Sequence, residues 1–215
     1  MTIQAVLLDL DGTLADTAPD LGYALNQVRA TRKLPPLPLA VTRPVTSNGV
    51  RGLLKVGFDL TPEHADYAVL KDEFLAIYTA NLCRETKLFP GMNELLTELE
   101  QRGVLWGVVT NKPQRFTEPL LDRLGMRDRA ACVISGDSVG QIKPHPAPLL
   151  AAAMTIGVAP PACLYFGDDQ RDVIAARAAG MPVAVAKFGY LNGGNPETWG
   201  ADALLDHPLD LIALL

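Results

Sequence analysis

The apolar run Ala5-Val-Leu-Leu8 stops abruptly on Asp9-Leu-Asp11-Gly-Thr13, and this junction constrains the fold more than any other stretch of the chain. Four consecutive apolar residues without polar alternation suit a strand buried on both faces, as in a parallel sheet covered by helices. Positions i and i+2 of extended backbone project to the same side. Asp9 and Asp11 are therefore expected to converge on one small volume and to repel each other unless a cation intervenes. A hard divalent ion such as Mg²⁺, which takes oxygen ligands, would serve. A strand followed by an ordinary Asp-Gly turn is the competing reading.

From residue 16 to residue 86 the pattern is helical only. Leu21, Leu25 and Val28 share one helix face, and Lys33-Leu-Pro-Pro-Leu-Pro38 then breaks the helix. A loop through Thr46-Ser-Asn-Gly49 feeds a short helix, and another is predicted from Thr61 to about Leu82, with Thr61 as N-cap and Pro62 at its first position. From Lys87 onward helix and strand alternate. Predicted strands cover 104–109, 131–135, 163–166 and 182–185, with a short last one at Leu204-Leu205, and helices stand between them. This alternation predicts an α/β protein with a Rossmann-like parallel sheet and helices on both faces. The expected organisation is a core of residues 1–15 and 87–215 and a small all-helical domain, 16–86, inserted after the first strand. Such an insert would lie as a lid over the strand ends, where open α/β sheets place their ligands.

With 215 residues, 48% of them hydrophobic and 20% charged, the chain can bury a substantial core. A net charge of −5 and the absence of any basic run argue against a nucleic-acid partner. Cys83, Cys132 and Cys163 are odd in number and scattered, unlike a disulfide framework or a zinc site, and suit reduced thiols. The first residues lack the basic and apolar regions of a signal peptide, and no stretch is long and apolar enough to span a membrane. A cytoplasmic protein working on a small molecule, as a monomer or weak homodimer, is expected.

Four polar clusters fall at the carboxyl ends of predicted strands or in the loops beyond them: Asp9 with Asp11, Thr110-Asn111, Lys143-Pro144, and Gly167-Asp-Asp-Gln-Arg-Asp172. Each alone fits a turn, a helix cap or a solvated loop. Together, in this order, they resemble the four motifs of the haloacid dehalogenase superfamily over nearly the whole chain. Asp9, Asp11 and Thr13 match its Asp-x-Asp-x-Thr, Thr110 its second-motif Ser or Thr, Lys143 its lysine, and Asp168 with Asp172 its acidic Gly-Asp-x-x-x-Asp. Residues 16–86 occupy the place of its type 1 helical cap.

The resemblance implies a Mg²⁺-dependent phosphatase. Asp9 would attack phosphorus to form an aspartyl-phosphate, and Asp11 would act as general acid and then base. Metal ligands would be Asp9, the Asp11 carbonyl, Asp168 and Asp172, the last directly or through water. Thr110, Asn111 and Lys143 would donate to the phosphoryl oxygens. The superfamily's dehalogenases lack an acid at the position of Asp11, so its presence favours a phosphate ester. Asn48, Gly49 and Arg51 fall where related caps carry a specificity loop, and Arg51 is a candidate for a substrate carboxylate. Lys112 and Arg115 are expected at the solvated rim, His145 is assigned no role, and Trp106 and Trp199 are expected to pack. Whole segments, among them Trp106-Gly-Val-Val-Thr-Asn-Lys-Pro113 and Trp199-Gly-Ala-Asp202, resemble phosphoglycolate phosphatases and, more closely, N-acetylmuramic acid 6-phosphate phosphatases of bacterial cell-wall recycling. A sugar phosphomutase with the same core is the alternative. A binding module with a vestigial site is disfavoured, because no motif residue is missing.

Overall fold

The computed structural model describes residues 2–215. Strands β1 (Ala5–Leu8) and β2 (Ala15–Asp16) lead into helices α1 (Ala18–Ala30), α2 (Leu39–Thr42), α3 (Gly49–Phe58) and α4 (Tyr67–Ala80), with a 3-10 helix over Arg43–Asn48. There follow β3 (Lys87–Leu88), α5 (Met92–Gln101), β4 (Leu105–Val109), α6 (Gln114–Arg123), β5 (Cys132–Ile134), α7 (Ala147–Ile156), β6 (Cys163–Gly167), α8 (Gln170–Ala178), β7 (Val183–Ala186) and β8 (Ala203–Leu205). Six strands form one sheet in the order β5-β4-β1-β6-β7-β8, every neighbouring pair parallel, as the alternation of strand and helix predicts.

β1 lies between β4 and β6, and its residues alternate between two cores. Val6 and Leu8 pack with Leu95, Leu99 and Leu120 of α5 and α6 and with the helical insert, while Ala5 and Leu7 pack with Leu149 of α7 and Ala175 of α8. Burial on both faces explains why this strand reads as an unbroken apolar run. The reversal of strand order at β1 puts the ends of β1, β4 and β6 side by side, and all the motif residues of the core lie in loops at that edge.

Two features depart from expectation. Helix α4 begins at Tyr67 rather than at Thr61-Pro62. Residues 62–66 form turns instead, with the His64 N–H donating to Thr61 O and the Asp66 N–H to His64 Nδ1. Residues 61–66 are exposed, and the buried face of α4 starts only at Leu70, continuing through Phe74 and Tyr78, so local side-chain bonds prevail over helix there. The second is the antiparallel pair β2–β3, which joins Ala15 to Leu88 and Asp16 to Lys87 where the chain leaves and re-enters the sheet layer. Two-residue strands are too short to show periodicity in a sequence.

Asp20, in the first turn of α1, reinforces this crossing. Fully buried, it accepts from the backbone N–H groups of Arg84, Glu85 and Thr86 at 2.8–3.1 Å and from Thr86 Oγ1 at 2.6 Å.

Candidate active site

Beyond Leu8 the chain leaves extended geometry. The Thr13 and Ala15 N–H groups both donate to Leu10 O, and Gly12 adopts φ +88°, a conformation glycine takes without penalty. A Cβ at Gly12 would lie 2.2 Å from Asp168 Oδ2, so the close approach of this loop to the acidic loop after β6 also requires glycine. In consequence the two first-motif carboxylates do not converge on one cation. Asp9 joins Asp168 and Asp172 in a buried group whose ligand atoms lie within 4.8 Å of one another. The Asp11 carboxylate accepts instead from Lys112 Nζ at 2.9 and 3.2 Å and from Thr17 Oγ1 at 2.5 Å. Asp11 does not share the Asp9 side because the strand ends at Leu8.

Lys143 anchors the acidic group. Its fully buried ammonium lies 2.9 Å from Asp9 Oδ1 and 2.8 Å from Asp172 Oδ1, and donates to Val109 O and Tyr165 Oη. Burial opposes the charge on Lys143, but Asp172 and Asp9 outweigh it and hold its pKa above the ordinary value. Burial, partly offset by Lys143, pushes the Asp9 carboxyl up to about 6. Burial, then the Asp9 and Asp172 charges, raises Asp168 well above the usual carboxylate range. One ammonium among three buried carboxylates leaves an excess of negative charge that a divalent oxygen-seeking cation would relieve. The donor set, carboxylates alone with no thiol or imidazole, suits Mg²⁺.

The fourth motif divides its work between two loops' worth of contacts. Asp169 caps α8, and Asp172 completes the capping box by accepting from the Asp168 and Asp169 N–H groups through Oδ2. With Oδ1 on Lys143, both Asp172 oxygens are engaged in shaping the loop that carries Asp168. Asp168 itself accepts from Thr13 Oγ1 at 3.1 Å and from the Tyr190 N–H at 2.8 Å.

A cavity of about 360 Å³ opens beside Asp9 and Asp11 and separates them from the helical insert. Thr110, Asn111, Lys143, Asn48 and Gly49 all line it. The Asn111 carboxamide is occupied, however: it exchanges two hydrogen bonds with the Lys143 backbone at 2.9 Å and so positions that lysine. Asn48 reaches across to the core, accepting from Arg171 Nη2 at 2.7 Å and donating to Asn192 Oδ1 at 2.6 Å. Gly49 has φ +57° and ψ −147°, a region essentially restricted to glycine. Arg51 is exposed, does not line the cavity, and lies near Glu63 and Tyr67, so of the insert residues expected at the substrate it is the one this structure does not bring to the cavity.

Lys112 was expected in solvent and is buried, because its ion pair with Asp11 lies against the Tyr78 ring, 5.0 Å from the ring centre. Its place directly after Thr110-Asn111 was the available signal, yet a lysine in a loop is usually solvated. Tyr78 and Arg171, which also line the cavity, carry no motif signature. Trp106 is buried in the core and donates to Glu100 Oε1, and His145 is exposed and accepts from the Ala147 N–H.

The family model for haloacid dehalogenase-like hydrolases matches residues 6–186. A phosphoglycolate phosphatase of Xanthomonas campestris pv. campestris (strain 8004) is 47% identical over 97% of this chain and 94% of its own. An N-acetylmuramic acid 6-phosphate phosphatase of Pseudomonas putida is 43% identical over 98% and 95%. A crystal structure described as that of a predicted phosphoglycolate phosphatase from Haemophilus somnus 129pt superposes with a TM-score of 0.89 at 28% identity, covering 100% of this chain and 98% of that one. With its motif residues gathered at one sheet edge and this similarity running over its full length, the chain belongs to the haloacid dehalogenase-like hydrolases and is a phosphatase.

Proposed function

We propose that this enzyme is a Mg²⁺-dependent phosphomonoester hydrolase that works through an aspartyl-phosphate on Asp9. The carrying observation is the division of labour between the two first-motif acids: Asp9 is held by Lys143 beside Asp168, and Asp11 faces the same cavity from the Lys112–Thr17 side. Lys143 fixes Asp9 with one oxygen free to approach phosphorus, and the ester oxygen departs on the side of Asp11. Asp11 gives that oxygen its proton, then takes one from the water that attacks the aspartyl-phosphate and releases inorganic phosphate, a role worth ~10²–10⁴ in rate. Lys112 and Thr17 keep the Asp11 carboxylate aimed at the cavity. Thr110 and backbone N–H groups near it bind the phosphoryl oxygens. Mg²⁺ held by Asp9, the Asp11 carbonyl and Asp168 would offset the repulsion between nucleophile and substrate, with Asp172 shaping the loop.

Residues 1–15 and 87–215 form the catalytic core in this reading and 16–86 the cap that selects the leaving group. The substrate is a small carboxylated phosphate ester, N-acetylmuramic acid 6-phosphate or 2-phosphoglycolate, as the names of the relatives suggest. The three free cysteines suit a cytoplasmic setting. Phosphate release from p-nitrophenyl phosphate should fall to background in Asp9→Asn and on chelation of Mg²⁺. Parental activity in either case would overturn the nucleophile or the metal assignment, respectively. A phosphorylated isomer in place of free phosphate would indicate a phosphomutase.

A further inference from the structure

The cavity is lined by four cationic side chains, and three are already committed. Lys112 pairs with Asp11, Lys143 with Asp9 and Asp172, and Arg171 with Asp169 and the Ser47–Asn48 segment. Arg115, in the first turn of α6, has no carboxylate partner among the described residues. It is exposed at the cavity wall, with its guanidinium stacked over Phe116 at 4.8 Å from the ring centre. An unpaired arginine pre-positioned on an aromatic ring can bind a carboxylate bidentately.

Between Arg115 and the acids the wall is apolar, built from Phe74, Leu75 and Tyr78 of α4 and Phe116 of α6. Tyr78 is 2% exposed, and its hydroxyl is buried beside the Lys112 ammonium with almost no surface open to the cavity. Its ring is fixed by Phe74 and Phe116, with centroids 6.4 and 5.5 Å away, so the hydroxyl cannot readily turn to solvent.

The size of the cavity matters equally. About 360 Å³ lies in the range of sites that enclose a drug-sized ligand. Glycolate carries its carboxylate one methylene from the ester oxygen and has no apolar body to cover this wall. An amino-sugar acid presents a ring with C–H faces, an amide and a lactyl carboxylate well removed from the phosphate.

We propose that the wall from Tyr78 to Arg115 is a leaving-group subsite for a bulky carboxylated sugar phosphate, in which the aromatic and apolar side chains cover the C–H face of the sugar and Arg115 binds the carboxylate. The subsite rests on the phosphatase reading above and assigns its substrate class, with N-acetylmuramic acid 6-phosphate favoured over 2-phosphoglycolate.

The test compares kcat/KM on N-acetylmuramic acid 6-phosphate, N-acetylglucosamine 6-phosphate, which lacks only the lactyl group, 2-phosphoglycolate and p-nitrophenyl phosphate. Arg115→Ala should lose about 10–100-fold on the first and stay within about twofold on the second and fourth, with Arg115→Lys partly restoring the loss. An equal loss on all substrates in Arg115→Ala, or a parental preference for 2-phosphoglycolate, would overturn the subsite and leave the phosphatase reading intact. A parental enzyme inactive on all four would overturn both.

Discussion

Replacing Asp20 by alanine should destabilise the fold sharply although the residue is remote from any motif. The carboxylate accepts four hydrogen bonds, two of them from Thr86, which is 5% exposed. Hydrogen bonds to a charged acceptor contribute about 1.5–3 kcal/mol each, but such values do not add. Arg84 and Glu85 are exposed, so water can satisfy their N–H groups when the carboxylate is removed. The Thr86 N–H and hydroxyl have no such recourse, and two buried donors left unpaired cost about 1–3 kcal/mol each. The sum is a loss of about 3–5 kcal/mol, which in urea moves the unfolding midpoint down on the order of 1–2 M. Asp20→Asn keeps an acceptor oxygen and the side-chain volume but loses the charge, so roughly half of that loss is expected. Urea titration followed by far-UV circular dichroism measures both variants. A midpoint for Asp20→Ala within about 0.3 M of the parent would refute the claim that this carboxylate ties α1 to the returning chain.

Two further outcomes follow from burial. With its pKa raised from 3.8 to about 6, Asp9 binds its proton more tightly when folded, so it stabilises the metal-free fold at low pH. That contribution, on the order of 3 kcal/mol, is lost as pH rises from about 4 through about 6. Mg²⁺ needs the ionised carboxylates, so the Tm increase on adding millimolar Mg²⁺ should be larger at pH 7 than at pH 5 in scanning fluorimetry. An equal increase at both pH values would count against the acidic group as the metal site. Burial also pushes the Cys132 and Cys163 thiols up to about 11, leaving a thiolate fraction of about 10⁻³ at pH 8. A disulfide reagent should therefore titrate at most Cys83 in the native protein at pH 8 and all three thiols after unfolding. Rapid reaction of two or three native thiols would contradict that burial.

The sheet was legible in the chain because its cause is local and repeated. An unbroken apolar run such as Ala5–Leu8 or Cys163–Phe166, bounded by glycine and acidic residues and alternating with amphipathic helices, admits little besides a covered parallel strand. The motif residues were legible for a related reason: Asp9, Thr110 and Asp168 each follow a strand directly, Lys143 lies in the loop beyond β5, and topology alone brings the ends of β1, β4 and β6 together. Direction was not legible. Whether Asp11 points towards Asp9 or towards Lys112 depends on where β1 stops and on the turn that Gly12 permits, and only the packed loops fix that. Partnership was no more readable. Lys112 reads as an ordinary loop lysine, Asp20 as an ordinary first-turn acid and Asn111 as a phosphate ligand, until residues 6 to about 100 positions away supply the contacts that define them. The cavity wall was least readable, since Tyr78 on α4 and Arg115 on α6 meet only across the cavity between insert and core. Sequence pattern determined the fold and which polar residues stand in the loops at the strand ends, because strand burial and motif spacing are short-range properties. Tertiary structure alone decided which carboxylate each cation holds and which side chains line the cavity, because both depend on contacts between segments far apart in the chain.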